Sequence, residues 1–294
     1  MKYSVSNWIY GDEPLEKTFE RLSRFGYDGI ELMGEPRLYD PAEVKRHCQK
    51  YNLRVLSIAG MYPWPTQERD LANPDPGVRA RAVNYLKECV DFAEAVEAPV
   101  IIVVPSAVAK TSPVGDPKDE EEWIAASERE WKWAVNSVGE AAAYAAQKGI
   151  SLAIEPINRY ETYLINTCEQ ALRFVEEVNN KFVGIHLDTF HMNIEEPDPP
   201  GAIRMAGEKL LNVHIADSNR QSVGRGHIDF KTILKALLEI NYPGALALEP
   251  LPPVPDPYIA IRLKRFSHLR DVFAQESINR LREIAEELRR EAYE

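Results

Sequence analysis

Eight short runs of apolar and β-branched residues recur along the chain, at 2–8, 28–33, 53–59, 99–104, 150–155, 182–188, 210–216 and 244–249. The intervals between them carry the periodicity of amphipathic helices. Strict strand–helix alternation favours parallel strands joined by crossover helices. Interiors such as Val100-Ile101-Ile102-Val103-Val104 are wholly apolar, which suits strands covered on both faces and argues against an antiparallel sandwich. The expectation is an α/β fold, a single (β/α)8 barrel spanning residues 1–294, a length such barrels commonly reach. Helices are expected at Leu15–Phe25, Pro41–Tyr51, Val78–Val96, Ser127–Lys148, Thr167–Asn179 and Phe230–Ile240, with a long charged one from Phe266. Two intervals exceed one helix, Met61–Gly77 after the third strand and Ser106–Ala126 after the fourth. Both leave the strand C-termini, the face that carries active sites in barrels, so they read as lids, pocket walls or subunit contacts.

Four consecutive runs end on a side chain that binds metals: Glu155 after Ser-Leu-Ala-Ile, Asp188 after Gly-Ile-His-Leu, His214 after Leu-Leu-Asn-Val and Glu249 after Ala-Leu-Ala-Leu. Their spacings of 33, 26 and 35 residues each match one strand plus one crossover helix, so a barrel would gather all four at one rim. Three carboxylates and an imidazole suit a single hard divalent cation, Mn2+ first, with Co2+ or Mg2+ as alternatives; zinc more often collects His and Cys. Pro156 and Pro250 directly follow the two glutamates and interrupt the ladder there, presenting each carboxylate at a strand tip.

Other polar residues cluster around these tips. Glu161 lies in the loop after Glu155, within reach of a bound ligand, and His191 falls in the loop three residues beyond Asp188. His186 shares a strand face with Asp188 and reads as a hydrogen-bonded core histidine. Arg220 and Arg225 are expected to bind substrate hydroxyls or hold the metal-binding carboxylates, with Asp217 in the same loop, while Gly224 and Gly226 permit close backbone approach. Trp8, Met61, Trp64 and Trp123 are candidate apolar walls.

Composition narrows the function classes. A formal charge of −11 opposes nucleic-acid binding, which relies on Lys and Arg neutralising phosphates. No apolar run approaches the ~20 residues a bilayer span requires, so no membrane association is expected. Three scattered cysteines form no metal or redox spacing, and the chain starts as a strand without an apolar leader; a cytoplasmic protein is the expectation.

The motifs Glu-Pro-Ile-Asn-Arg-Tyr-Glu, Leu-Asp-Thr-Phe-His-Met-Asn-Ile-Glu-Glu, His-Ile-Ala-Asp-Ser-Asn-Arg and Gly-Arg-Gly-His-Ile-Asp-Phe, all between Glu155 and Phe230, together with Glu249, resemble those of the ketose 3-epimerases of the xylose-isomerase-like barrel superfamily. The resemblance covers most of the chain as a fold and is loosest in the N-terminal half. It implies that Glu155, Asp188, His214 and Glu249 ligate one metal, commonly manganese, and that Glu161, His191 and Arg220 contact substrate oxygens near the carbonyl end. It also implies that Glu155 and Glu249 form an acid/base pair, one on each face of the carbon being inverted, acting through a cis-enediolate. A free ketose of the D-tagatose, D-fructose or D-allulose type is the expected small-molecule partner, and a dimer or tetramer the expected assembly. Other readings on the same barrel are an aldose–ketose isomerase, a keto-sugar epimerase, an inosose dehydratase, an abasic-site endonuclease and a non-catalytic sugar-binding barrel.

Overall fold

In the computed structural model, which describes residues 1–60, 67–116 and 118–292, eight parallel strands form a TIM barrel. They are β1 Lys2–Val5, β2 Gly29–Met33, β3 Arg54–Ala59, β4 Val100–Val103, β5 Ser151–Ile154, β6 Val183–Asp188, β7 Leu210–Ile215 and β8 Ala245–Leu248. Each of β2 to β8 pairs with its neighbour in chain order, β8 pairs with β1, and a single bridge from Ser6 to Glu31 closes the ring. The wrapping helices are α1 Leu15–Arg24, α2 Pro41–Tyr51, α3 Pro76–Ala95, α4 Glu120–Gln147, α5 Cys168–Val178, α6 Thr189–Glu195, α7 Pro199–Ala206, α8 Phe230–Glu239, α9 Pro257–Ala260 and the long C-terminal α10 Ser267–Glu291. The strands are buried along nearly their whole length, and one apolar core joins them to the inner helix faces. None of the described helices is long and apolar enough to cross a membrane.

Local chemistry explains most boundaries. Asp40, Asp75 and Asp229 cap α2, α3 and α8 through their carboxylates, and Thr167 with Gln170 makes a reciprocal capping box on α5. Three expectations are corrected. The first strand stops at Val5 rather than residue 8, because Asn7–Tyr10 coil into a 3-10 turn in which the Asn7 side-chain Oδ1 accepts from the Met33 amide at 2.7 Å. Helix α4 begins at Glu120 rather than Ser127: the Asp119 carboxylate accepts from the Glu122 amide, and three glutamates fill the first turn, where the helix dipole favours negative charge. The interval after β4 is correspondingly shorter, and Trp123 lies on α4, 39% exposed, rather than in a loop. The connection from β6 to β7 contains two helices, so His191 sits in α6, whose first turn is capped by the Asp188 carboxylate through the Phe190 amide at 2.8 Å. Met61 and Trp64 lie outside the described residues.

Candidate active site

The sheet register brings the tips of the last four strands to one level. Asp188 stands opposite His214, and His186 opposite Asn212, across β6 and β7. Glu155 and Glu249 lie one residue past β5 and β8, and each still donates its amide to the neighbouring strand, to Val103 and Ile215 at 3.0 Å. Pro156 and Pro250 end the ladders there.

The four expected donors meet around one nitrogen. His214 Nδ1 is 3.1 Å from Glu249 Oε2 and 3.9 Å from both Glu155 Oε1 and Asp188 Oδ2. None of the four residues is more than 3% exposed. Among the described residues, three overlapping triads each place donor atoms within 4.8 Å of one another: Glu155 with His186 and His214, Glu31 with His214 and Glu249, and Glu155 with Asp188 and His191.

The partners of these groups are unequal. Arg220 reaches between Asp188 and Glu249, donating to Asp188 Oδ2 and, at 2.7 Å, to Glu249 Oε2, while its guanidinium lies 4.9 Å from the centre of the Phe190 ring. Trp8 Nε1 donates to Glu249 Oε1 at 2.6 Å. In contrast, no group among the described residues donates to the Glu155 carboxylate. His186 Nε2, 3.6 Å from Glu155 Oε1, is buried without a hydrogen-bond partner among the described residues.

Electrostatics follows from these contacts. Burial pushes the Glu155 carboxyl well above its usual range, and the Asp188 and Glu249 charges add to the effect against the pull of His214. For Glu249 and Asp188 burial acts the same way but is outweighed, by His214 with Arg220 at Glu249 and chiefly by Arg220 at Asp188, so both are held below the usual range. Burial would lower His214, yet Glu249 and Glu31 on either side raise it well above the usual imidazole value. His186 is pushed far down by burial and by the charge of His214. Two histidines of one site thus carry opposite protonation tendencies.

This donor set fits a divalent cation. Three buried carboxylates and one imidazole bring hard donor atoms close together, and the Glu155 carboxylate accepts no hydrogen bond among the described residues, which leaves its oxygens available to a cation. The ring orientation of His214 agrees: Nδ1 faces the carboxylates, while Nε2 is held by Glu31 at 2.9 and 3.1 Å. The Glu31 carboxylate also accepts from Ser57 Oγ at 2.6 Å and Asn212 Nδ2 at 3.3 Å. A carboxylate behind a histidine fixes its tautomer and raises its basicity as a ligand.

Glu31 is a site residue that the sequence expectations do not include. Its signal is a carboxylate inside the apolar run Gly29-Ile30-Glu31-Leu32-Met33, a position that burial makes costly unless a partner exists. Asn158 is a second omission: its amide Nδ2 is 2.9 Å from Glu161 Oε1 and 2.8 Å from His191 Nδ1, setting both residues at the rim. Trp8, expected as an apolar wall, is a hydrogen-bond donor to Glu249 whose ring stacks on Tyr258, with centroids 5.8 Å apart.

Two expectations for the β7 loop change. Arg225 pairs with Glu276 of α10 at 2.7 and 2.8 Å instead of with a strand-tip carboxylate. Asp217 organises the loop itself, accepting from the amides of Ser218, Gly224 and Ile228, and its carbonyl accepts from Arg220. A Cβ at Gly226 would come within 2.2 Å of the Asp217 carboxylate. The close approach that glycine permits is therefore to Asp217, not to the pocket.

A family model described as xylose isomerase-like TIM barrel matches residues 19–290. The chain is 33% identical to an L-ribulose 3-epimerase of Methylomonas sp. (strain DH-1), over 79% of this chain and 77% of that one. It is 32% identical to a D-psicose 3-epimerase of Ruminiclostridium cellulolyticum, over 85% and 84%. Its structure resembles that of a D-allulose 3-epimerase from Methylomonas sp. in complex with D-allulose, with a TM-score of 0.80 at 29% identity over 96% of each chain.

Proposed function

The chain belongs to the xylose isomerase-like TIM barrel family, its relatives include an L-ribulose and a D-psicose 3-epimerase at 33% and 32% identity, and on that premise we propose that it inverts carbon 3 of a free ketose. In this reading Glu155, Asp188, His214 and Glu249 hold one divalent cation, manganese by preference, and Glu155 and Glu249 exchange the proton. The convergence of four strand-tip donors around His214 Nδ1, at 3.1–3.9 Å, is the observation that carries it.

A hydrogen beside a ketone is weakly acidic, and a bound divalent cation supplies positive charge where negative charge develops as that hydrogen leaves. The chain's own residues do the rest. One glutamate removes the carbon-3 proton from one face, giving an enediolate, and the other delivers a proton to the opposite face. The unequal surroundings of the two carboxyls, Glu249 ionised beside Arg220 and Glu155 pushed toward its protonated form, suit a pair that must hold one proton between them. Asn158 fixes Glu161 and His191 for contact with sugar oxygens, and Trp8 fixes Glu249. Arg220 and Arg225 are both already paired with carboxylates, which favours a neutral sugar over a phosphorylated one.

Incubation with D-fructose, D-allulose, D-tagatose and L-ribulose tests the reading. Each should give its carbon-3 epimer on chromatography, at rates that rank the substrates. A product with a shifted carbonyl, or none from any ketose, would remove the assignment. Glu31→Gln is expected to weaken manganese binding by about 10- to 100-fold in a folded protein, since the amide cannot hold the His214 ring as a charged acceptor. Calorimetric titration with manganese reads this directly, and an unchanged affinity would release Glu31 from that role.

A further inference from the structure

A second buried charge cluster lies beside the catalytic rim and takes no part in the chemistry above. Lys110, in the loop after β4, places Nζ 3.0 Å from Asp70 Oδ2 and 2.5 Å from Glu130 Oε2. Asp70 comes from the segment after β3 and Glu130 from α4; their side chains are 2% and 1% exposed, and that of Lys110 is 15% exposed. The remaining capacity of the carboxylates is filled from the same loops. Asp70 accepts from the Ala72 and Ala107 amides, and Glu130 from the Val114 amide and the Tyr163 hydroxyl.

The main chain of the same residue grips the loop that carries Glu161. Lys110 bridges in parallel with Thr162; Ala109 donates its amide to the Glu161 carbonyl at 2.8 Å, and Tyr163 donates to the Lys110 carbonyl at 3.2 Å. Ala109 stands at φ +77°, a left-handed conformation that a residue with a side chain keeps only where its surroundings impose it. The hydroxyls of Ser106 and Thr162 add a further bond between the two loops.

We infer that Lys110 is a positioning residue: its ammonium, shared by Asp70 and Glu130, locks the loops after β3, β4 and β5 to α4 and thereby holds Glu161 where a substrate oxygen meets it. Removing the ammonium leaves two buried carboxylates without their common cation, and they separate by moving the loops that carry them. Glu161 then loses its fixed place while the strand tips that carry the acid/base pair do not move. The effect falls on substrate binding rather than on proton transfer.

The inference rests on the epimerase reading for its kinetic consequence, but not for its structural one. The test compares wild type with Lys110→Met and, should that variant not fold, with Lys110→Met combined with Glu130→Gln, whose amide oxygen can still accept from the Val114 amide while its NH2 group faces the Tyr163 hydroxyl oxygen. Expected are a rise of about tenfold in KM for the best ketose with kcat within about threefold, faster hydrogen exchange in residues 156–167 with strand exchange unchanged, and partial recovery in Lys110→Arg. Unchanged exchange in 156–167 in a folded variant, or a fall in kcat at constant KM, would overturn the inference. If wild type turns over no ketose, the epimerase reading fails by itself and the exchange measurement alone decides the role of Lys110.

Discussion

Glutamine in place of Glu155 or Glu249 is expected to lower kcat by about 10³-fold or more, within the usual range for removing a general acid or base, in a barrel that remains folded. The amide is the same shape as the carboxyl but cannot pass a proton. At Glu155 no hydrogen bond among the described residues is lost, so the loss reports chemistry rather than packing. At Glu249 the glutamine oxygen can still accept from Trp8 Nε1, and the nitrogen faces Arg220, which costs one charge-assisted bond. Manganese content measured on the same preparations separates a lost proton carrier from a lost ligand. Full activity in either variant would remove that residue from the pair.

Stripping divalent ions with a chelator is expected to reduce turnover by about 10³-fold or more, with manganese restoring it and cobalt or magnesium restoring part. In the metal-free rim Arg220 pairs with Asp188 and Glu249, and Glu249 and Glu31 make His214 hold its proton more tightly than an ordinary imidazole. A cation must therefore displace the proton that Glu249 and Glu31 stabilise on His214. The sign follows: the imidazole is raised in the metal-free site, so lowering the pH keeps it protonated longer and weakens metal binding, and raising the pH strengthens it. Activity of the stripped protein titrated with manganese at pH 6 and pH 8 reads both effects. Undiminished turnover in a preparation free of divalent metal would contradict the account.

The rim was legible because parallel strands buried on both faces read as uniform apolar runs, and a polar group at the end of such a run stands out. Glu155 and Glu249 lie one residue past β5 and β8, Asp188 ends β6 and His214 is the penultimate residue of β7, and their spacing needs only one strand and one crossover per interval. What supports the rim was not legible, because its partners are distant in sequence. Glu31 holds His214 across 183 residues and Trp8 holds Glu249 across 241; no local pattern encodes either pairing. Arg225 was misplaced for a similar reason, since Glu276 lies 51 residues on in a helix whose approach to the β7 loop only the fold defines. The start of α4 was missed because Glu120–Trp123 lack an apolar stripe, and the Asp119 cap with its acidic first turn is the signal that counts there.

In the proposed reaction this rim removes and returns one hydrogen at carbon 3 of a ketose. Turnover of D-allulose or L-ribulose in deuterium oxide, with the label located by nuclear magnetic resonance, tests it most directly. Deuterium is expected at carbon 3 in the epimer formed, and in recovered substrate after prolonged incubation. Deuterium at carbon 1 or carbon 4 with carbon 3 unlabelled, or inversion without any label, would contradict it.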